Sequence, residues 1–199
     1  MKIYLLRHGK TNWNDERRIQ GQIDVSLNNI GLAQAQTTKK YFDNINLNAV
    51  YTSTLQRAID TTEIVTRMKY PIIKLSDLNE RNFGDWQTRL WNEIYEEIPN
   101  LKERWKIEGI KFTPKNGESL ESLISRSQNR FVQIINSHSS DENILISCHG
   151  GPLKSIIGYV LKTPWNEIPD VAKLDNCGIC LVKSEKGRLS IPIINKSIY

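Results

Sequence analysis

Cysteine is scarce in this chain. Only Cys148, Cys177 and Cys180 occur in 199 residues, too few for the disulfide framework that small secreted folds depend on. Cys177-Gly-Ile-Cys180 has C-x-x-C spacing. No second pair and no nearby pair of histidines accompanies it, which argues against zinc. A redox motif would open a helix, whereas Ile179 to Val182 reads as a strand, so both cysteines are taken as small apolar strand residues. Long apolar runs are also missing. Ile3 to Leu6 is the whole apolar stretch ahead of Arg7, shorter than the core of a signal peptide. Nothing approaches the roughly 20 residues of a membrane-spanning helix. The expectation is a cytoplasmic protein with no membrane partner. Dense positive charge is absent too. The net charge is +5, from 27 basic and 22 acidic residues, but Arg17-Arg18 and Lys39-Lys40 are the only adjacent basic pairs. Without a basic tract interleaved with aromatics, no nucleic-acid partner is expected. A modest positive excess suits a small anionic ligand.

The sequence has the makings of a globular core, at 39% hydrophobic and 25% charged residues. The length fits one domain, 1–199, that needs no staples. Apolar runs and helical periodicities alternate. "KIYLLR" reads as a first, buried strand. Residues 8–29 are polar and turn-rich. "NNIGLAQAQTTKKYFDN" reads as a helix with an apolar face through Leu32, Ala35 and Tyr41-Phe42. "LNAVYTS" is a strand, "TLQRAIDTTEIVTRM" a helix, and "IIKL" a third strand at a sheet edge. Residues 81–117, with Trp86, Trp91 and Trp105, break the alternation and read as a partly helical cap laid over the sheet. "GESLESLISRSQNRFVQIINSH" is a long helix, with Ser119, Glu118 and Glu121 offering capping chemistry. "NILISC" is a strand, "GGPLKSIIGYVLK" a helix, and "CGICLVK" and "LSIPIIN" a closing hairpin. The expected fold class is α/β: a three-layer α/β/α sandwich on a mostly parallel sheet with one antiparallel strand.

In open α/β sheets ligands bind beyond the carboxyl ends of the strands. Three strands here end in unusual polar residues: Arg7-His8-Gly9, Thr52-Ser53 with Arg57 just inside the next helix, and His149-Gly150-Gly151. If these strands are parallel neighbours, two histidines and two arginines meet at one rim. Arginine forks match phosphate oxygens bidentately. Helix N-termini after Ser53 and after Gly150 would add N–H donors. A neutral imidazole can then attack phosphorus and carry it covalently, with flanking arginines lowering its pKa by like-charge repulsion. Glu80, in "LNERNFGDW", is the candidate acid, because a carboxyl group beside a phosphate dianion is driven toward its protonated form. Taken singly, each of these residues has an ordinary structural reading. A lone histidine at a strand end is usually a satisfied polar group, and His138, amid serines at a helix end, is assigned no role. Glu80 could equally be an exposed carboxylate. The joint occurrence at strand ends is what favours chemistry.

These same residues carry a family resemblance. "LLRHGKTNWN" resembles the R-H-G-x-T-x-x-N signature of the histidine phosphatase superfamily, in its phosphoglycerate mutase-like branch. "RIQGQIDVSLNNIGLAQA", "VYTSTLQRAIDTTEIV", "LNERNFGDWQ" and "SCHGGPLKSII" resemble four further motifs of that family in the right order. The resemblance implies that His8 is the phosphorylated nucleophile and Glu80 the proton donor. Arg7, Arg57 and His149 would bind the phosphate, joined by Asn14. Gln20, Gly21 and Gly150 would line the pocket more peripherally. No metal and no cofactor is implied. Lys10, Gln87-Thr88 and Cys148 depart from the family pattern without removing a core group. Lys10 is expected to add a cation near the mouth, and Cys148 to pack rather than react.

The leading functional expectation is a phosphomonoesterase acting on a small phosphorylated metabolite, with α-ribazole phosphate and broad specificity both open. A cofactor-dependent phosphoglycerate mutase is the alternative, disfavoured by the compact stretch 81–148. A non-catalytic phospholigand-binding module is the third reading, disfavoured because nucleophile and acid are both present. A homodimer is left open.

Overall fold

The structure is a computed structural model that describes residues 1–168 and 174–198. A six-stranded sheet runs in the order β3-β2-β4-β1-β5-β6. The strands are β1 (Lys2–Arg7), β2 (Ala49–Thr52), β3 (Ile72–Lys74), β4 (Asn143–Cys148), β5 (Ile179–Glu185) and β6 (Arg188–Lys196). The four strands β3, β2, β4 and β1 are mutually parallel, β5 runs against β1, and β6, antiparallel to β5, runs in the same direction as β1. β5 is thus the one strand among the described residues that runs against the other five, as the expected fold class has it.

The sheet's two faces follow from strand alternation. Ile3, Leu5, Ile144 and Ile146 pack with Phe131 and Ile134 of α6 (Leu120–Asn136) and with Leu153, Ile156 and Ile157 of α7 (Gly150–Leu161). Tyr4, Leu6, Val50 and Leu145 pack on the other face with Ala35 and Phe42 of α2 (Asn29–Phe42) and Val65 of α3 (Gln56–Thr66). Covering on both faces is why β1 and β4 read as unbroken apolar runs. β6, an edge strand, instead alternates exposed and half-buried residues and tolerates Pro192. The three-layer α/β/α sandwich is the observed fold.

Several local readings change. Leu32 is 42% exposed, so the buried face of α2 runs through Gly31, Gln34, Ala35, Thr38 and Phe42 instead. A four-residue helix, α1 (Asn12–Asp15), interrupts the segment expected to be irregular. Ser119 caps α6 by accepting from the Ser122 N–H at 3.0 Å, but Glu118 takes no part in the cap and pairs with Arg126. Cys177 precedes β5, at a φ of 55°, so only Cys180 is a strand residue.

Segment 81–117 carries α4 (Trp91–Glu97) and α5 (Leu101–Glu108). It has its own apolar cluster: Trp86, Ile94, Leu101 and Phe112 are buried together with Ile19 from the far side of the chain. Backbone hydrogen bonds tie the two stretches, Ile19 N–H to Arg89 O at 2.8 Å and Thr88 N–H to Ile19 O at 2.9 Å. Thr88 has a φ of 74°, a left-handed conformation that costs a side-chain residue about 1–2 kcal/mol.

Candidate active site

β1, β4 and β2 are parallel neighbours, so their carboxyl ends deliver their polar residues to one rim. The His8 and His149 rings lie 5.1 Å apart, centroid to centroid. Both are buried, at 3% and 0% exposure. His8 Nδ1 is 2.7 Å from the Gly9 carbonyl. A carbonyl can only accept, so Nδ1 carries the proton and Nε2 keeps its lone pair. The position after His8 is thereby what sets its tautomer. The His8 main chain is held by its own N–H to Cys148 O, at 3.0 Å, and by Asn176 Nδ2 donating to its carbonyl, at 3.0 Å.

His8 is held well below the usual histidine pKa. Burial is the largest cause, followed by the charges of Arg57 and then Arg7. The expectation that its arginine neighbours set this shift thus names the lesser contribution, and Arg57 outweighs the adjacent Arg7. His149 is lowered in the same way, by burial first and then by Arg57. Both imidazoles are neutral at neutral pH.

Arg57 is 1% exposed. Its Nη1 donates to Ile23 O at 2.9 Å and its Nη2 to Gly21 O at 2.7 Å. Gly21 has a φ of +53°, and a Cβ there would stand 2.1 Å from Gln87 Oε1, so this close approach needs glycine. Burial pushes Arg57 down to about 10, which still leaves it charged at neutral pH. Its Nε is buried with no acceptor, as is Nδ1 of His149. Buried polar groups are nearly always paired, and these two nitrogens at the His8 rim have no partner in the protein. Arg7 Nη1 donates to Leu174 O at 2.5 Å.

Glu80 faces this rim from the other side. Its carboxylate accepts from Gly151 N–H, 3.1 Å to Oε1 and 3.3 Å to Oε2, and from Arg81 N–H at 2.9 Å. Gly151 is in the first turn of α7, where backbone donors lack intrahelical partners. A Cβ on Gly151 would fall 2.3 Å from Glu80 Oε1, whereas one on Gly150 would clear the carboxylate by 3.8 Å. Gly150 lines the cavity, but Gly151 is the glycine that the Glu80 position requires.

Arg7, His8, Asn14, Gln20, Gly21, Arg57, Glu80 and Gly150 all border one cavity of about 1160 Å³. His149 is behind that wall, beside His8. Asn14 Oδ1 accepts from Thr11 N–H at 3.0 Å, which closes the cap of α1. Gln20 Oε1 is buried with no donor. Lys10 is not on the cavity wall among the described residues; its ammonium pairs with Asp15. Cys148 is fully buried with its thiol pKa raised by burial, the environment of an inert cysteine. His138 bridges Tyr51 and Glu142 at 2.8 and 2.5 Å, outside the rim. Among the described residues no cluster of three or more His, Cys, Asp or Glu could hold a metal ion, and no helix is long and apolar enough to cross a membrane.

Sequence reasoning missed three supports. Ser53 Oγ lies 2.7 Å from His149 Nε2. Thr61 Oγ1 accepts from Gly9 N–H at 2.9 Å. Arg126 donates to Glu80 O and to Glu118. Ser53 was visible as a polar strand end; Thr61 and Arg126 lie mid-helix, where polar residues give no signal until their partners are known.

A neutral histidine set among buried cations at the rim of an α/β sheet defines a phosphate-handling site of the phosphohistidine type. Residues 3–197 match the family model of the histidine phosphatase superfamily, branch 1, and the chain belongs to that family. It is 35% identical over 159 residues to a metal-independent phosphoserine phosphatase of Arabidopsis thaliana, covering 78% of this chain and 66% of the relative. It is 28% identical to the adenosylcobalamin/alpha-ribazole phosphatase of Escherichia coli, over 82% of this chain and 81% of that one. A mycobacterial glucosyl-3-phosphoglycerate phosphatase solved with VO3 superposes with a TM-score of 0.88 at 26% identity, covering 98% of this chain and 99% of that one.

Proposed function

We propose that the protein is a phosphomonoesterase that works through a phosphohistidine on His8. The carrying observation is the pair of buried donors without acceptors, Arg57 Nε and His149 Nδ1, beside an imidazole whose Nε2 is left with its lone pair. Arg7, Arg57, His149 and the Asn14 amide hold the three equatorial oxygens. His8 Nε2 attacks phosphorus, the ester P–O bond breaks, and its electron pair leaves with the alkoxide. Glu80 gives that oxygen its proton. Water then attacks the phosphohistidine, Glu80 takes a proton from it, and the P–N bond breaks to restore neutral His8. Fixed charge does most of the work, since the phosphoryl group has little bonding to its neighbours in the transition state. Segment 81–117 is the cap of a single domain, and the substrate is a small phosphorylated metabolite.

His8→Ala should abolish both phosphate release and an acid-labile, alkali-stable phosphoenzyme trapped during turnover. Persistence of either would overturn the assignment. Incubation with 2- and 3-phosphoglycerate, with and without the bisphosphate, separates the mutase reading: interconversion without phosphate release would replace hydrolysis by transfer.

A further inference from the structure

The cavity is larger than a phosphoryl group and a three-carbon body need. At about 1160 Å³ it matches or exceeds the roughly 300–1000 Å³ of sites that enclose drug-sized ligands. Away from the His8 rim its wall is aromatic. Phe83, Trp91, Trp105 and Phe112 all border it. They brace one another, with Phe83–Trp91 centroids 5.5 Å apart, Trp91–Trp105 6.1 Å and Trp105–Phe112 5.6 Å. Phe112 is 1% exposed and anchors the set, while Phe83, Trp91 and Trp105 are only partly buried. Rings held this way present faces and edges to a planar guest at little entropic cost.

The charge on the same wall is strongly weighted to the positive side. Glu80 is the one carboxylate among the described residues that line the cavity, against seven lysines and arginines. Arg7 and Arg57 belong to the phosphate end. Arg81 is spent on Glu118 O and Phe112 O, Arg18 on Glu16, and the Lys154 ammonium lies over the Trp165 ring. Lys102 and Lys106 are different. They stand four residues apart on α5 with Trp105 between them, so one helix face offers ammonium, indole and ammonium to the cavity. Neither has a carboxylate partner among the described residues, and the Lys102 ammonium lies over the Tyr95 ring, 5.7 Å from its centroid. Three acidic residues of the cap pair with arginines, Glu93 and Glu97 with Arg89 and Glu108 with Arg104, and among the described residues no ion pair joins Glu96 or Glu103 to either lysine.

From this face we infer that the substrate is a phosphomonoester whose alcohol carries a planar ring and a second anionic group. The ester phosphate is at His8, the ring is against Trp91 and Trp105, and the second anion reaches Lys102 and Lys106. The inference rests on the phosphatase reading for the identity of the ester end only. An apolar chain would leave the lysines unused, and a small polar ester would leave the aromatic wall wet.

The test compares alcohols with the same leaving oxygen. Ribose 5-phosphate and adenosine 5′-monophosphate differ only by the ring, and adenosine 3′,5′-bisphosphate adds the second anion. Binding is measured by calorimetry on His8→Ala, which holds ligand without turnover. The monophosphate should bind about tenfold more tightly than ribose 5-phosphate, the worth of one stacking contact. The bisphosphate should gain about fivefold more, and that gain should shrink with added salt. Lys102→Gln/Lys106→Gln, at exposed positions, should bring the bisphosphate-to-monophosphate ratio toward one. Trp105→Leu should compress the ring preference. Equal affinity for ribose 5-phosphate and the monophosphate, or hexyl phosphate binding as tightly as the monophosphate, would overturn the inference. Phosphate release from p-nitrophenyl phosphate by the unsubstituted protein tests the phosphatase reading separately, so either can fail alone.

Discussion

Ser53 Oγ sits 2.7 Å from Nε2 of His149 while also accepting from the Leu55 N–H at 3.3 Å. A hydroxyl that accepts from one neighbour has its single proton free for the other. With that proton directed at Nε2, His149 carries its own proton on Nδ1. That proton is the one with no acceptor in the protein. A serine at the end of β2 thus converts a neutral imidazole at the end of β4 into a donor for an anion, without placing another full charge beside Arg57.

Ser53→Ala should leave His149 free to adopt either tautomer. Nε2 would then be a buried acceptor without a donor, at a cost to stability of about 1–3 kcal/mol. The phosphorylation rate should fall about tenfold or more. Nitrogen chemical shifts of the His149 ring check the cause: one tautomer in the parent, a mixture in the variant. A single unchanged tautomer in the variant would remove Ser53 from this role.

Glu80→Gln keeps the shape of the side chain and removes the transferable proton. For alkyl phosphates, kcat/KM should fall about 100-fold or more, the usual worth of a general acid. For p-nitrophenyl phosphate, whose leaving group departs without protonation, kcat/KM should change little. Equal losses on both substrates would mean that Glu80 positions the phosphate and does not protonate the alcohol.

Gly151→Ala tests the same carboxylate through its seat. The added methyl would stand 2.3 Å from Glu80 Oε1, so the carboxylate must move off the α7 N-terminus. Alkyl phosphate turnover should drop about tenfold more than p-nitrophenyl phosphate turnover. Gly150→Ala, 3.8 Å away, should cost less.

Much of this was legible from pattern. Continuous apolar runs announced β1 and β4 because both faces of the sheet are covered, and the polar residues behind them announced the rim because parallel strands end on one side. The supports were not legible, for a physical reason. Thr61 serves the site through a backbone N–H from another part of the chain, and Arg126 through a carbonyl, so neither has a spacing to read. The source of the histidine shifts was also hidden. Arg7 is adjacent in sequence, but burial and Arg57 matter more, and burial is a property of the assembled layers. Gly150 and Gly151 look alike in a string; only the position of Glu80 distinguishes them.

The two buried histidines also tie stability to pH. Both have folded pKa values lowered well below the ordinary 6.5. In the unfolded chain they titrate near 6.5. Above that value both states hold neutral imidazoles, and their full contribution to stability is present. As pH falls below about 6.5, the unfolded chain takes up protons that the folded state refuses, so stability falls with pH at a slope approaching about two protons. The window runs down to where ordinary carboxylates begin to titrate, near about pH 5. Urea unfolding between about pH 7.5 and 5.5 should show this slope in the parent, and His8→Gln/His149→Gln should flatten it. Identical slopes in both proteins would mean that the rim imidazoles can be protonated without cost, and the neutral nucleophile assigned to His8 would have no electrostatic basis.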